Sequence, residues 1–123
     1  MLAVWLSLAP MSFASASLDD QDIYWIRRPN LDCLIAHEQS YLASPDSLLV
    51  VFPTLCPTTH PTRVERQGIM ENQYIPDCAA GFQSCMIPLN RQLRRCFFER
   101  LRAQARNNPR ATRVTVSTYG CRS

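Results

Sequence analysis

The sequence is short of several residue types that common catalytic sites require. Its 123 residues include only three glycines, Gly68, Gly81 and Gly120, which are too scattered to form a glycine-rich phosphate loop. No closely spaced pair of carboxylates lies at a predictable cleft, and there are only two histidines, His37 and His60. The sequence therefore excludes enzymes built on a phosphate loop and predicts no catalytic residues.

Long apolar runs are absent after the amino-terminal segment MLAVWLSLAPMSFASA. That run breaks at Pro10, which leaves it shorter than the roughly 20 apolar residues that span a membrane. Residues 14–16 form the small-x-small pattern of a signal-peptidase site, although no basic residue precedes the run. We therefore predict a signal peptide over residues 1–16, a mature domain over residues 17–123, and a periplasmic or extracellular location.

The number of cysteines is even, so none is left without a possible disulfide partner. All six lie in the predicted mature part: Cys33, Cys56, Cys78, Cys85, Cys96 and Cys121. An even number of cysteines in a small exported chain is typical of a disulfide framework and leaves no spare thiol nucleophile. In two places a cysteine is followed by a predicted helix, a proline, a predicted strand and a second cysteine. This repeat favours the pairs Cys33–Cys56 and Cys96–Cys121, which leaves Cys78–Cys85.

The apolar pattern predicts two helices and two strands at the ends of the chain. Asn30 is expected to cap a helix that ends at Ser44-Pro45, because proline disfavours helical geometry in the residue before it. The run SLLVVF then has the length of a strand covered on both faces. Asn90 is expected to cap a second helix, Arg91 to Arg106, and Val114 and Val116 alternate as in a half-exposed strand.

The middle of the chain is harder to interpret. PTLCPTTHP is a proline-bracketed loop, Gln73 to Ile75 predicts a short edge strand, and DCAAGFQSCMIP predicts one or two helical turns. Near the amino end we expect Tyr24, Trp25 and Ile26 to lie against the core. The predicted fold class is α+β: a small disulfide-stapled domain with two helix–strand hairpins around a short sheet and an irregular middle segment.

Lysine is absent, so all thirteen basic residues are arginines, and they are unevenly distributed. Residues 17–90 carry a net charge of −5, whereas residues 91–123 carry +8. On a helical wheel, four arginines of the second predicted helix form a stripe opposite its apolar side chains: Arg91, Arg95, Arg102 and Arg106. These arginines are the predicted partner-binding residues.

Three interpretations of this arginine stripe are open. It is a solvated helix face, or it docks on an acidic partner or the protein's own acidic half, or it contacts an anionic polymer or lipid. Nucleic acid is disfavoured, because the aromatic side chains of this helix lie on its other face. A peripheral contact with an anionic membrane stays open.

The two histidines allow two further hypotheses. Cys33 and His37, and likewise Cys56 and His60, have a Cys-x3-His spacing, and together the four residues have the ligand types of a zinc site. Disulfides compete for the same cysteines in an exported protein, so we predict no metal and no cofactor. His37 and His60 are also the only candidates for an acid–base pair in a small secreted hydrolase.

We expect the chain to be an exported, non-enzymatic binding or inhibitory module. Its partner is an acidic protein surface or none, and its oligomeric state is not indicated by the sequence. The alternatives are a small secreted hydrolase that uses His37 and His60, or a cationic effector that acts on an anionic envelope or on nucleic acid through the arginine-rich helix.

The signal-peptide interpretation makes a prediction about the processed protein. Because residues 14–16 form the expected cleavage pattern, mass spectrometry of the native protein should find Ser17 at the amino terminus. A mature cytosolic species that retains Met1 would contradict export and would remove the reason to expect disulfides.

Overall fold

The computed structural model describes residues 23–71 and 85–121, and these residues form an α+β domain, as the sequence predicts. The described elements, in chain order, are β1 (Ile23–Arg27), α1 (Arg28–Ala36), α2 (Glu38–Leu42), β2 (Leu48–Val51), a 3-10 turn (Pro53–Leu55), α3 (Arg63–Glu71), β3 (Ile87–Asn90), α4 (Arg91–Asn107) and β4 (Arg113–Ser117).

The four described strands form two separate antiparallel sheets of two strands each. In one sheet β1 pairs with β4, and in the other β2 pairs with β3. Each sheet therefore combines the strand that enters one helical segment with the strand that leaves the other. The first and last strands of the described residues are joined at one sheet, and the two strands between them in sequence are joined at the other.

This pairing reveals two β–α–β units of the same plan, β1–α1–α2–β2 and β3–α4–β4. Their helical segments begin at Arg28 and Arg91, and the sixth residue of each is a cysteine, Cys33 or Cys96. The inward positions of the entering strands also correspond, since the residues two and four before each helix are all buried. Each sheet therefore contains one strand from each unit.

Two disulfides join described residues, and both are predicted pairs. Cys33 and Cys56 are bonded with their Cα atoms 6.2 Å apart, and Cys96 and Cys121 with theirs 5.7 Å apart. Each bond connects the helix of one unit with the segment after that unit's second strand. Cys85 is also disulfide-bonded. The predicted pair Cys78–Cys85 lies partly outside the described residues, because Cys78 is not among them.

The core is centred on the inner face of α4. Phe97, Phe98 and Leu101 are fully buried, which confirms the predicted orientation of this helix. The ring of Phe97 meets those of Tyr24 and Phe98 edge-on, with centroids 6.4 and 5.4 Å apart, and Phe98 stacks on Tyr41 at 5.8 Å. These ring contacts join α4 to β1 and to α2.

The first helical segment differs from the prediction at its start and in its middle. Asn30 does not cap it, because the helix begins at Arg28 and Pro29 lies in its first turn, where a missing N–H costs nothing. The predicted single helix is divided at His37, whose backbone leaves helical geometry between α1 and α2. At the other end of the chain, Asn90 does cap α4, since its side chain accepts a hydrogen bond from the N–H of Leu93 at 2.8 Å.

The predicted burial was wrong for two side chains, Leu48 and Trp25. SLLVVF is not covered on both faces, because a two-stranded sheet buries only one, and Leu48 is 57% exposed. Trp25 does not lie in the core with Tyr24 and Ile26. The two-residue period of a strand turns it outward, and it is 37% exposed. Val114 and Val116 are buried side by side, as predicted.

The middle of the chain contains a helix and a strand that the sequence interpretation missed. Thr62 and Glu65 form a capping box at the start of α3: the N–H of each is bonded to the other's side chain, at 2.8 and 3.1 Å. The predicted helical turns extended to Pro88, but Ile87–Asn90 is strand β3. The predicted edge strand at residues 73–75 and the rest of those turns lie outside the described residues.

A buried tyrosine hydroxyl makes the fold testable. Tyr41 is fully buried, its hydroxyl has no hydrogen-bond partner among the described residues, and burial raises its pKa to about 12. An unpartnered buried hydroxyl is a cost, so Tyr41→Phe should leave the unfolding free energy unchanged within about 0.5 kcal/mol, or raise it. Phe97→Ala, which empties a core site, should instead lose about 3–5 kcal/mol. Urea denaturation measures both.

The same tyrosine predicts a pH dependence. Burial raises the pKa of Tyr41 in the folded state, so the unfolded protein ionises this tyrosine first. The free energy of unfolding is therefore unaffected by this group below its ordinary pKa of 10.0 and decreases as the pH rises towards about 12. Denaturation between pH 10 and 11 should therefore show a loss of stability in the wild type that is smaller in Tyr41→Phe. Equal losses in the two proteins would show that Tyr41 is not buried as described.

Candidate functional site

Two arginines of α4 hold the loop between α2 and β2. Arg94 is buried, and its guanidinium donates from Nη1 to the carbonyl oxygen of Ser44 at 3.1 Å and from Nη2 to that of Asp46 at 2.5 Å. Arg91 donates to the carbonyl oxygen of Pro45 between them. Burial lowers the pKa of Arg94, and Arg91 lowers it further, whereas Asp46 opposes the shift. Three successive carbonyls of the loop are thus bonded to one helix.

Two more arginines of α4 have internal partners. Arg100 donates from Nη1 to the carbonyl oxygens of Ser117 and Tyr119, both at 2.8 Å, and so holds the segment that leads to Cys121. Arg102 forms an ion pair with Glu38 of α2, and this hydrogen bond raises its pKa. Most of the charge on α4 is therefore used to attach loops and helices of the domain to one another.

The predicted arginine stripe is only partly available to a partner. Arg91 and Arg102 are engaged with Pro45 and Glu38, whereas Arg95 and Arg106 are exposed and make no side-chain hydrogen bond or ion pair with described residues. The stripe is thus two exposed cations separated by about three helical turns. Its role in partner binding stays a prediction.

The hypothesis of a zinc site loses its thiolates, because the sulfurs of Cys33 and Cys56 are bonded to each other. Among residues 23–71 and 85–121, no cluster of three or more potential metal ligands occurs. His37 lies at the junction of α1 and α2, and His60 in the loop before α3. None of the described contacts joins the two histidines.

His60 is instead paired with a carboxylate that the sequence interpretation did not connect to it. Its Nε2 lies 2.7 Å from Oδ2 of Asp46, and its Nδ1 lies 3.2 Å from Oγ1 of Thr59. Asp46 is held from two sides, because Arg94 donates to its carbonyl and its own N–H donates to Oγ of Ser44 at 3.3 Å. The buried Arg94 of α4 therefore positions an exposed imidazole through one loop.

This pair lies at the edge of a cavity of about 320 Å³. Its apolar lining consists of Leu49, Val50, Phe52, Pro61 and Met86, and its polar lining of Asp46, Thr59, His60 and Arg66. Arg66 comes from the first turns of α3 and donates to the carbonyl oxygen of Pro61 at 3.4 Å. An apolar floor with a few convergent polar groups is the usual composition of a binding site. We call this cavity and its polar rim the His60 groove.

Arg94 and the helix that carries Arg66 each had a signal in the sequence that was not used. Arg94 lies three residues before Phe97 and seven before Leu101, which places a lone arginine on the apolar face of α4. The T-x-x-E pattern of residues 62–65 is the signature of a capping box and marks the helix that carries Arg66. The approach of Asp46 to His60 had no such signal, because it depends on how a loop is held.

The comparisons with known proteins give no further information about the site. No protein-family model matches the chain, and neither a curated protein nor a solved structure is found to be similar to it. Among the helices of the described residues, none has the length and hydropathy needed to cross a membrane. The two disulfides are typical of proteins from an oxidising compartment.

The contacts of Arg94 predict a difference between neighbouring arginines. Arg94→Met removes the donors to two carbonyl oxygens, one of them in a buried bond, and should lower the unfolding free energy by about 1–3 kcal/mol. Arg95→Met removes the same charge from an exposed position and should change it by less than about 0.5 kcal/mol. Urea denaturation of the two variants distinguishes them. Equal effects would show that the loop is not held by Arg94.

Proposed function

We propose that this protein is an exported, non-enzymatic binding or inhibitory module whose contact surface is the His60 groove. The observation that carries the proposal is the combination of an apolar cavity and a polar rim on a rigid support. The rim is supported by the bonds from Arg94 to the Ser44–Asp46 loop and by the Cys33–Cys56 disulfide. A surface that is already ordered loses little conformational entropy on binding.

The groove is best suited to an acidic protein surface that inserts one apolar side chain. Asp46 already has His60 as its partner, whereas Arg66 is bonded only to a carbonyl oxygen among its described contacts. The rim therefore has one cation without a carboxylate, next to an apolar floor. A partner with a carboxylate beside its apolar anchor complements both features, and charge pairs of this kind fix specificity and speed association.

Export is part of the same proposal. Residues 1–16 have the pattern of a signal peptide, and disulfide bonds persist outside the cytosol. Small domains that are cross-linked by disulfides are common in the periplasm and outside the cell. This localisation determines where a partner should be sought.

A secreted hydrolase is the second candidate, and the Thr59–His60–Asp46 hydrogen bonds favour it. A carboxylate that orients an imidazole is the arrangement of a general base, and the other ring nitrogen faces a hydroxyl. This hypothesis uses His60 without His37. It requires measurable turnover of nucleic acid or peptidoglycan that His60→Gln abolishes.

The groove proposal is tested by affinity capture from the native envelope fraction with three forms of the protein. Wild type and Arg63→Gln should retain the same acidic partner, whereas Arg66→Gln should lose it, since only Arg66 lines the cavity. Arg63 is the matched control because it is an exposed arginine of the same helix. With the captured partner, Arg66→Gln should weaken binding about tenfold or more and flatten its salt dependence.

Two outcomes would contradict the groove proposal. Equal retention by the Arg66→Gln and Arg63→Gln proteins would show that the partner contacts another surface. Turnover that depends on His60, without any captured partner, would replace the binding module with the hydrolase.

A further inference from the structure

The sheet of β1 and β4 has an outward face that the proposed function does not use. Its inward residues are all buried: Tyr24, Ile26, Val114 and Val116. The residues between them point the other way and face each other in register as Ile23 and Ser117, Trp25 and Thr115, and Arg27 and Arg113. None of these six residues is an acid. We call this surface the Trp25 face.

The arginine pair of the Trp25 face is placed unfavourably for the protein alone. Arg27 and Arg113 are direct cross-strand partners, and both are exposed. Side chains in such a pair start about 4.5–5.5 Å apart at Cβ, and like charges at that separation destabilise a sheet. Within the described residues, no carboxylate forms an ion pair with either guanidinium. An anion held between the two would convert this repulsion into attraction.

An aromatic ring lies next to the two cations. Trp25 is two residues before Arg27 on the same face, which is about 7 Å along the strand. The guanidinium of Arg113 is over the indole ring, 5.0 Å from its centroid, and the hydroxyl-bearing Thr115 is directly opposite. The face thus offers two charged forks, a flat apolar ring and a hydrogen-bonding hydroxyl within a single patch.

We propose that the Trp25 face binds an acidic polysaccharide. A uronate carboxylate lies between Arg27 and Arg113, whose planar forks bind carboxylates in bidentate fashion, and the neighbouring sugar ring packs on the exposed part of Trp25 beside Arg113. The face shares no residue with the His60 groove, so this inference does not depend on the proposed function.

Two observations favour a polysaccharide over nucleic acid. Proteins that bind single strands stack successive bases on several aromatic side chains, and this face has one. The disulfides also indicate an oxidising compartment, where acidic glycans are accessible polymers. The two guanidinium groups beside the indole ring of Trp25 are complementary to a polymer in which carboxylates and pyranose rings alternate.

The inference is tested with polygalacturonate and its methyl ester, which has the same sugar rings without the charge. Trp25 is the only tryptophan of the predicted mature chain, and Trp5→Phe makes it the only tryptophan of the full chain, so that its fluorescence reports on the face in either form. Polygalacturonate should change this emission saturably, with an affinity that falls as salt is added, and the methyl ester should bind at least tenfold more weakly.

Matched double variants locate the binding. Arg27→Gln with Arg113→Gln should weaken binding of polygalacturonate at least tenfold, whereas Arg63→Gln with Arg110→Gln, which removes the same charge from exposed positions outside this face and outside the arginine stripe, should not. The first variant should keep or raise the thermal midpoint, because it relieves a like-charge pair. Its loss of binding would then not result from unfolding.

Several outcomes would overturn the inference. Equal binding of the methyl ester would show that charge is not recognised. Equal losses in the two double variants would show that net charge alone attracts the polymer. Tighter binding of a single-stranded oligonucleotide than of polygalacturonate would assign the face to nucleic acid.

Discussion

The hydrogen bonds of Arg94 connect the core of the domain to its most distinctive surface. The residue stands among phenylalanines on the inner face of α4, yet its guanidinium meets the carbonyl oxygens of Ser44 and Asp46. That loop decides where β2 begins and where the carboxylate of Asp46 lies. His60 and the cavity beside it are consequently positioned by a charge that the solvent barely reaches. A core made only of apolar side chains would bury α4 equally well but would leave this loop without its donors.

The same use of arginine recurs along α4 and changes the meaning of its charge. A helix with this many arginines looks, in sequence, like a surface made for anions. In the structure Arg91, Arg94 and Arg100 donate to main-chain carbonyl oxygens, and Arg102 pairs with a partly buried glutamate. A guanidinium presents five donors in a fixed planar fork on three nitrogens, whereas the ammonium of lysine has three donors on a single nitrogen. The absence of lysine and the internal bonding of α4 are consistent with each other.

Local patterns predicted the elements that local interactions determine. The cap at Asn90, the inner face of α4 and the buried valines of β4 depend on residues close in sequence, and all three were predicted. The cysteine spacing also predicted Cys33–Cys56 and Cys96–Cys121, because each closes one helix–strand segment.

Most of the predictions that failed concerned features that depend on neighbours distant in sequence. Whether Leu48 and Trp25 are buried depends on how many strands share a sheet and on which face of the sheet meets the core. The sequence of a single strand indicates neither. The contact between Asp46 and His60 spans fourteen residues and is fixed by α4, which lies a further thirty residues along the chain. The sequence around Asp46 or around His60 alone therefore cannot predict this contact. The prediction of where α1 begins was wrong for a local reason, because a proline is as compatible with the first turn of a helix as with the loop before it.

The two β–α–β units are cross-linked separately by disulfides, but they exchange strands and so depend on each other to fold. Each disulfide between described residues closes a loop within one unit, so no such bond ties the first unit to the second. Each unit nevertheless lends one strand to a sheet that only the other can complete. A half that is separately cross-linked would therefore still expose two unpaired strands and an open apolar face. The smallest piece that can bury its own core is the complementary pair, whether or not the peptide chain between the halves is continuous.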